Sequence, residues 1–361
     1  AFEEKNVALL FLQLLSGRIS AVTNPLTMVI VNLATIVILY TGGVRVLAGE
    51  MTQGQVVALV NYMAQILTEL IKLANLIVTL TRGLASADRI ADVLELRSSL
   101  TSPQSPRAAE EKQGEPKIVF SHVSLRYAGA SGEALHNISF SVSPGETLGI
   151  IGGTGSGKSS VVQMIPRFYD AEQGEVFVDG VDVREQKLSA LRQKIGVVPQ
   201  KALLFEGSVR ENLCFGKGEA SEEELWEALR IAQAEEFVRE KEGGLDFHIE
   251  QKGANLSGGQ RQRLTIARAL LRKPEILILD DSMSALDTAT DRALRQAISG
   301  MRSRPVTILV SQRVSTLRQC DRILVMNDGE VAGNGTHEEL LRDCPLYQEI
   351  YRSQTEESDE A

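Results

Sequence analysis

Hydrophobic and polar positions are distributed unevenly along the chain. From Ile19 to Val44 there is no charged residue, and Arg18 and Arg45 flank the run. A helix over those residues spans roughly 39 Å at 1.5 Å per residue, against about 30 Å of hydrocarbon in a bilayer. A membrane helix is predicted over 19–44. The alternative, a buried helix of a soluble domain, rarely runs so long without charge. Pro25 is tolerable inside a bundle. A second apolar run, Met51 to Thr81, is broken by Glu69 and Lys72 and predicts a second helix over 51–81. Its polar members Asn61, Gln65, Glu69, Lys72, Asn75 and Thr79 recur every three or four residues and share one helical face. The stripe reads in two ways. It is either interhelical hydrogen bonding with Glu69 and Lys72 paired, or the wall of a polar path, which makes Asn61, Gln65 and Glu69 candidate substrate-path residues. The short link 42–54 predicts an antiparallel hairpin. Arg18, Arg82, Arg89 and Arg97 suggest that both chain ends face the cytoplasm.

Past residue 96 the pattern changes. Residues 97–116 are rich in Ser, Pro and charge and read as a linker. Then follow short β-rich runs, among them KIVFSHVSLRY, ISFSV, TLGIIG, EVFVDG, KIGVVPQ, EILILD and VTILVSQ, with helical segments between the later ones. Strands alternating with helices predict an α/β domain with a mostly parallel sheet, over 117–352. Residues 353–361 are acidic and read as a tail. The stretch before Ile19 reads as a helix entered midway and the chain opens on Ala1, so a truncated N-terminus is expected.

Composition changes this picture little. The mean hydropathy is −0.04, which averages over two unlike parts. Residues 1–96 hold 6 of the chain's 38 basic and 7 of its 47 acidic side chains, so 97–361 hold 32 and 40. The larger part is an acidic, soluble body, and a net charge of −9 argues against a nucleic-acid binder working by bulk charge. Three scattered cysteines, without a CxxC, indicate neither a zinc site nor a disulfide framework.

Three motifs carry chemistry. The strand TLGII runs into GGTGSGKSS, in which Gly152, Gly157, Lys158 and Ser159 fit the phosphate-loop pattern. Gly152, Thr154, Gly155, Ser156, Gly157, Lys158, Ser159 and Ser160 are therefore candidate ATP ligands: backbone N–H groups curl around phosphate oxygens, Lys158 reaches the β and γ phosphates, and the Ser159 hydroxyl binds Mg²⁺. EILILDD puts an apolar strand before Asp280, a second candidate Mg²⁺ ligand. LSGGQ, residues 256–260, opens the helix RQRLTIARALL, where Ser257 can serve as N-cap.

Together these motifs resemble the nucleotide-binding domain of an ATP-binding cassette (ABC) transporter, over residues 117–352. The two apolar helices resemble the last two of the six in an exporter-type half-transporter. The resemblance implies an α-helical transmembrane segment followed by an α/β P-loop domain, ATP and Mg²⁺ as cofactors, and a plasma-membrane protein with its nucleotide-binding domain in the cytoplasm. It implies that Tyr127 stacks on adenine and that Gln200, the Q-loop glutamine, touches Mg²⁺ or water and couples to the membrane helices. It also implies that Leu256, Ser257, Gly258, Gly259, Gln260 and Asp287 complete the ATP site of a second half-transporter. An amphipathic small molecule is the implied cargo, without nucleic acid.

Two positions depart from the family pattern. Asp281 stands where the general base is usually Glu, and Gln312 stands where the switch histidine falls. Asp reaches about 1 Å less far, and a general base must lie within hydrogen-bond reach of its water. Gln can hydrogen-bond a γ-phosphate but cannot become a cation. The pair resembles the degenerate half of a heterodimeric multidrug exporter. The expectation is that this chain binds ATP, hydrolyses it poorly, and lends its LSGGQ to the partner's P-loop. A slow homodimer, a nucleotide sensor without transport, and a soluble ABC ATPase acting on nucleic acid are the rivals; the uncharged run 19–44 counts against the last.

Overall fold

The computed structural model describes residues 2–96, 98, 100–109 and 114–359, and it divides into two compact units, 1–97 and 98–361. Arg97 and the last two residues, Glu360 and Ala361, lie outside the described residues.

In the first unit, α1 (Phe2–Leu47) and α2 (Gln53–Glu95) both run past the apolar stretches that predict them. Charge ends a hydrophobic run but not a helix. The segment before Ile19 therefore joins α1, with Pro25 inside it, and α2 continues beyond Thr81 through Arg82, Asp88, Arg89 and Asp92. By length and composition, Pro25–Leu47 (mean hydropathy 1.9) and α2 (1.5) could each cross a membrane. Thr52 starts α2 with a capping box: its hydroxyl accepts from the Gln55 N–H and its own N–H donates to the Gln55 side chain. Close to the turn, Gly42 packs so tightly on Val56 that a β-carbon would lie 2.8 Å from Val56 Cγ1. Glu69 and Lys72 pair at 2.8 Å.

The second unit begins with β1 (Ile118–Leu125) and β2 (Leu135–Val142), paired antiparallel. β3 (Thr147–Gly152) leads through the phosphate loop into α3 (Lys158–Met164). β4 (Gln173–Val178) returns to pair antiparallel with β1, and β5 (Val181–Asp182) pairs with β4, giving a four-stranded sheet of order β2-β1-β4-β5. α4 (Leu188–Gln193) then feeds β6 (Ile195–Val198). A helical region follows: β7 (Gly207–Ser208), α5 (Val209–Cys214), α6 (Glu222–Ile231), α7 (Glu235–Glu240), β8 (His248–Ile249) and α8 (Gly258–Leu271). The chain re-enters the sheet with β9 (Ile276–Asp280), α9 (Thr288–Ser299), β10 (Val306–Val310), α10 (Val314–Leu317), β11 (Arg322–Asn327) and β12 (Glu330–Gly335). α11 (His337–Asp343) and α12 (Pro345–Asp359) close it.

The six-stranded sheet has the order β12-β11-β3-β10-β9-β6, parallel except for β12. Its inner strands β11, β3, β10 and β9 are apolar on both faces, as a covered parallel sheet requires, whereas the edge strand β12 alternates exposed and half-buried positions. Ile276 and Ile278 of β9 pack into one core with β1, β2 and α3, while Leu277 and Leu279 pack into another with α8 and the helical region. The separate antiparallel sheet departs from the mostly parallel expectation: β1 and β2 are joined without a helix, so they form a hairpin. A buried ion cluster ties the two sheets. Asp179 pairs with Lys117 at 2.7 Å and with Lys194, and Lys117 also reaches Glu275 at the start of β9.

The stretch 97–116 lies along the second unit where it is described. Arg107 N–H donates to Glu185 O and its guanidinium pairs with the Glu185 carboxylate; Ser102 Oγ accepts from Leu188 N–H, and Lys194 Nζ donates to Ala109 O. Residues 353–359, read as tail, continue α12, because acidic composition alone does not end a helix.

Candidate nucleotide site

The phosphate loop is shaped by close packing from behind. A β-carbon on Gly152 would lie 2.2 Å from Met326 O, and one on Gly157, at φ +95°, would lie 2.7 Å from Leu135 Cδ2. Only glycine fits either position. Gly153, Thr154 and Gly155 are exposed at the front, while Ser156 and Ser160 are buried. Gly157 caps α3 without a side chain, so the first N–H groups of that helix have no side-chain partner at the cap. Lys158 curls back into the loop, donating to Gly152 O at 2.9 Å and Gly153 O at 2.6 Å, with Ser156 Oγ at 3.3 Å. Burial pushes its pKa below the usual lysine range, opposed by the Asp281 and Asp280 carboxylates.

Strand register brings Asp280 to the loop. β9 lies beside β10, which lies beside β3, so the end of β9 faces the end of β3. Ser159 Oγ donates to Asp280 Oδ1 at 3.2 Å. Burial raises the Asp280 pKa, with the Ser159 hydrogen bond opposing. Asp281 follows at φ +46°, and its Oδ2 accepts from Gln200 Nε2 at 2.9 Å. The four residues Lys158, Ser159, Asp280 and Asp281 thus meet in one place, with Gln200 gripping the last. The hydroxyl of Ser159, the carboxylate of Asp280 and the amide oxygen of Gln200 are hard oxygen donors of the kind Mg²⁺ takes.

Tyr127 stands over the same loop. Its hydroxyl lies 2.8 Å from Ser160 Oγ, and its ring packs edge-on against Tyr169 at 4.9 Å. Gln312 is exposed just after β10. Ser257 caps α8: its hydroxyl accepts from Gln260 N–H at 3.2 Å, and Gln260 Oε1 accepts from Ser257 N–H at 3.0 Å. Ser257 and Gly258 are exposed, Leu256 is buried, and Gly259 and Gln260 are half-buried. Asp287 caps α9, accepting from Thr290 N–H and Oγ1, and those bonds hold its carboxyl below the usual range. Replacing Ser257 by Ala is expected to destabilise the protein by about 1 kcal/mol, seen as a thermal midpoint lower by roughly 2–4 °C. An unchanged midpoint means the cap does not hold α8.

Residues 135–284, which run from β2 through the phosphate loop and the signature to Ser284, match the family model described as ABC transporter. The chain carries an ABC transporter ATP-binding domain. Over 332 residues the chain is 42% identical to the uncharacterized ABC transporter ATP-binding protein YfiB of Bacillus subtilis (strain 168), covering 92% of this chain and 57% of that protein. Over 323 residues it is 40% identical to an ATP-dependent lipid A-core flippase of Xanthomonas oryzae pv. oryzae, covering 89% and 54%. Among solved structures it is similar to a bacterial Atm1-family ABC exporter with ATP bound, at TM-score 0.71 and 32% identity, over 85% of this chain and 53% of that one. The chain therefore spans little more than half the length of these relatives.

Two features of the ABC domain lie beyond what the motifs indicate. One is an exposed apolar patch just past Gln200: Leu203, Phe205 and Phe215, the two rings stacked at 4.4 Å. The run ALLF after Gln200 carries a trace of it in sequence. The other is Gln354, treated below, for which the sequence holds no signal. In the helical unit, Gln65 and Glu69 line a shallow groove of about 480 Å³ with Tyr62, Ile66, Leu70 and Leu73. Asn61 is exposed on α2 but is not among the groove's lining residues.

Proposed function

We propose that this chain is the ATP-binding subunit of an ABC exporter, and that its own site holds ATP while hydrolysing it slowly. The carrying observation is the contrast within one site. The phosphate loop, Lys158, Ser159 and Asp280 are in place, yet the general-base position holds a short carboxylate that Gln200 grips, and the switch position is Gln312. A carboxylate about 1 Å short of its water lowers the rate by about 10²-fold.

In this reading Lys158 exchanges the Gly152 and Gly153 carbonyls for phosphate oxygens, and Tyr127 offers its ring to adenine. Ser159, Asp280 and Gln200 hold Mg²⁺, which when bound offsets the charge of the phosphates. The exposed Ser257 and Gly258, with Gly259, Gln260 and Asp287, complete the site of a second half-transporter, where most hydrolysis occurs. α1 and α2 anchor the subunit in the plasma membrane with the ABC domain on the cytoplasmic side. Gln65 and Glu69, and more distantly Asn61, contribute to the cargo path. The likeness to a lipid flippase and an exporter points to amphipathic cargo. Purified alone, the protein is expected to hydrolyse ATP on the order of 10² times more slowly than when paired with a half-transporter carrying Glu and His at the matching positions. Brisk turnover by the unpaired protein overturns the proposal, and ATP-stimulated flux into vesicles separates transport from nucleotide sensing.

A further inference from the structure

The loop that carries Gln312 is fastened from an unexpected quarter. Residues 311–314 leave β10 and enter α10, whose N-cap residue, Arg313, makes no side-chain cap. The first N–H of α10, that of Val314, instead donates to Gln354 Oε1 at 2.8 Å, from a helix 40 residues further along. The other end of the same amide, Gln354 Nε2, donates to Gln312 O at 2.6 Å. One side chain thus takes a backbone acceptor and a backbone donor two residues apart, and both lie within the switch segment.

Gln354 is itself held. It sits two turns after Tyr347 on α12, hence on the same face. Tyr347 is fully buried, and its hydroxyl lies 2.8 Å from His337 Nδ1. On the same helix, Gln348 Nε2 donates to Leu341 O at 2.9 Å. The amide is therefore presented from a fixed base, and it satisfies two backbone groups on either side of the exposed Arg313.

We propose that Gln354 is a positioning residue: α12 sets the backbone of Gln312, and through it the contact of the Gln312 side chain with the γ-phosphate. The inference rests on the reading of Gln312 as the γ-phosphate contact. Since ADP lacks that phosphate, the effect of losing Gln354 falls on ATP and not on ADP.

Gln354→Met and Gln354→Glu keep the size and helix preference of the side chain, so folding is preserved. Met makes neither bond, and Glu loses the donor to Gln312 O. In the full chain in detergent, displacement of a fluorescent nucleotide reads ATP and ADP affinity separately, and hydrogen exchange reads segment 311–318. Each variant is expected to weaken ATP about five-fold, the worth of roughly one net hydrogen bond, with ADP unchanged and amide exchange in the segment faster. Gln312→Ala should weaken ATP by a similar factor, and adding Gln354→Met to it should weaken ATP no further. Equal weakening of ATP and ADP, or unchanged exchange, overturns the proposal. If Gln312→Ala leaves ATP affinity intact, the reading of Gln312 fails. Faster exchange in Gln354→Met then upholds the clamp on its own.

Discussion

Replacing Lys158 by Met is expected to lower ATP affinity by at least about 10²-fold while leaving the fold in place. The ammonium already sits inside the phosphate loop, bonded to two of its carbonyls. In the proposed binding mode those bonds hold it where β and γ oxygens would arrive, and charge-assisted bonds to phosphate are roughly twice as strong as neutral ones. Losing two of them, each worth about 1.5–3 kcal/mol, is a loss of two or more powers of ten. Without nucleotide the balance differs. Burial opposes the charged form of Lys158, so removing the charge offsets part of the lost carbonyl bonds. The thermal midpoint without ATP should shift by only a few degrees, whereas the ATP-dependent rise in midpoint should vanish. Titration with ATP decides: affinity retained within about three-fold of the parent means that the loop backbone, not Lys158, carries the binding.

The sites that could be read from sequence are those whose chemistry is contiguous. GGTGSGKSS holds the loop, its lysine and its hydroxyl within nine residues, and LSGGQ holds its own capping box. Asp280 could be placed as well, because a buried parallel strand reads as an uninterrupted apolar run and its polar end marks the edge of the sheet. What stayed hidden depends on partners far apart in sequence. The Gln200 grip on Asp281 joins residues 81 apart, and Lys117 reaches Glu275 across 158. Nothing in the periodicity of either segment announces such pairs. Helix ends are hard to read from sequence for a different reason. Hydropathy reports where a helix is apolar, not where it stops, so α1 and α2 outrun their apolar runs and α12 runs through the acidic stretch.

The largest gain in hydrolysis is expected from changing both departures at once. Asp281→Glu alone extends the carboxylate by about 1 Å, but into the place where Gln200 now holds Asp281, and at φ +46°, a left-handed backbone that Asp tolerates better than Glu. A modest stability loss of about 1 kcal/mol or less accompanies it. On the proposed reading, Gln312→His alone supplies a ring that can carry charge beside the γ-phosphate, yet leaves the water without a base in reach. Each single change should therefore raise turnover by less than about ten-fold, and the double change by on the order of 10²-fold, because base and switch act as a unit and their effects are not additive. The gain should fall on kcat, with KM for ATP nearly constant, since the phosphate loop that binds the ground state is untouched. Steady-state ATPase of the four proteins reads this directly. Full recovery by Asp281→Glu alone assigns the deficit to reach and removes Gln312 from it. No gain in the double variant places the limit outside these two residues.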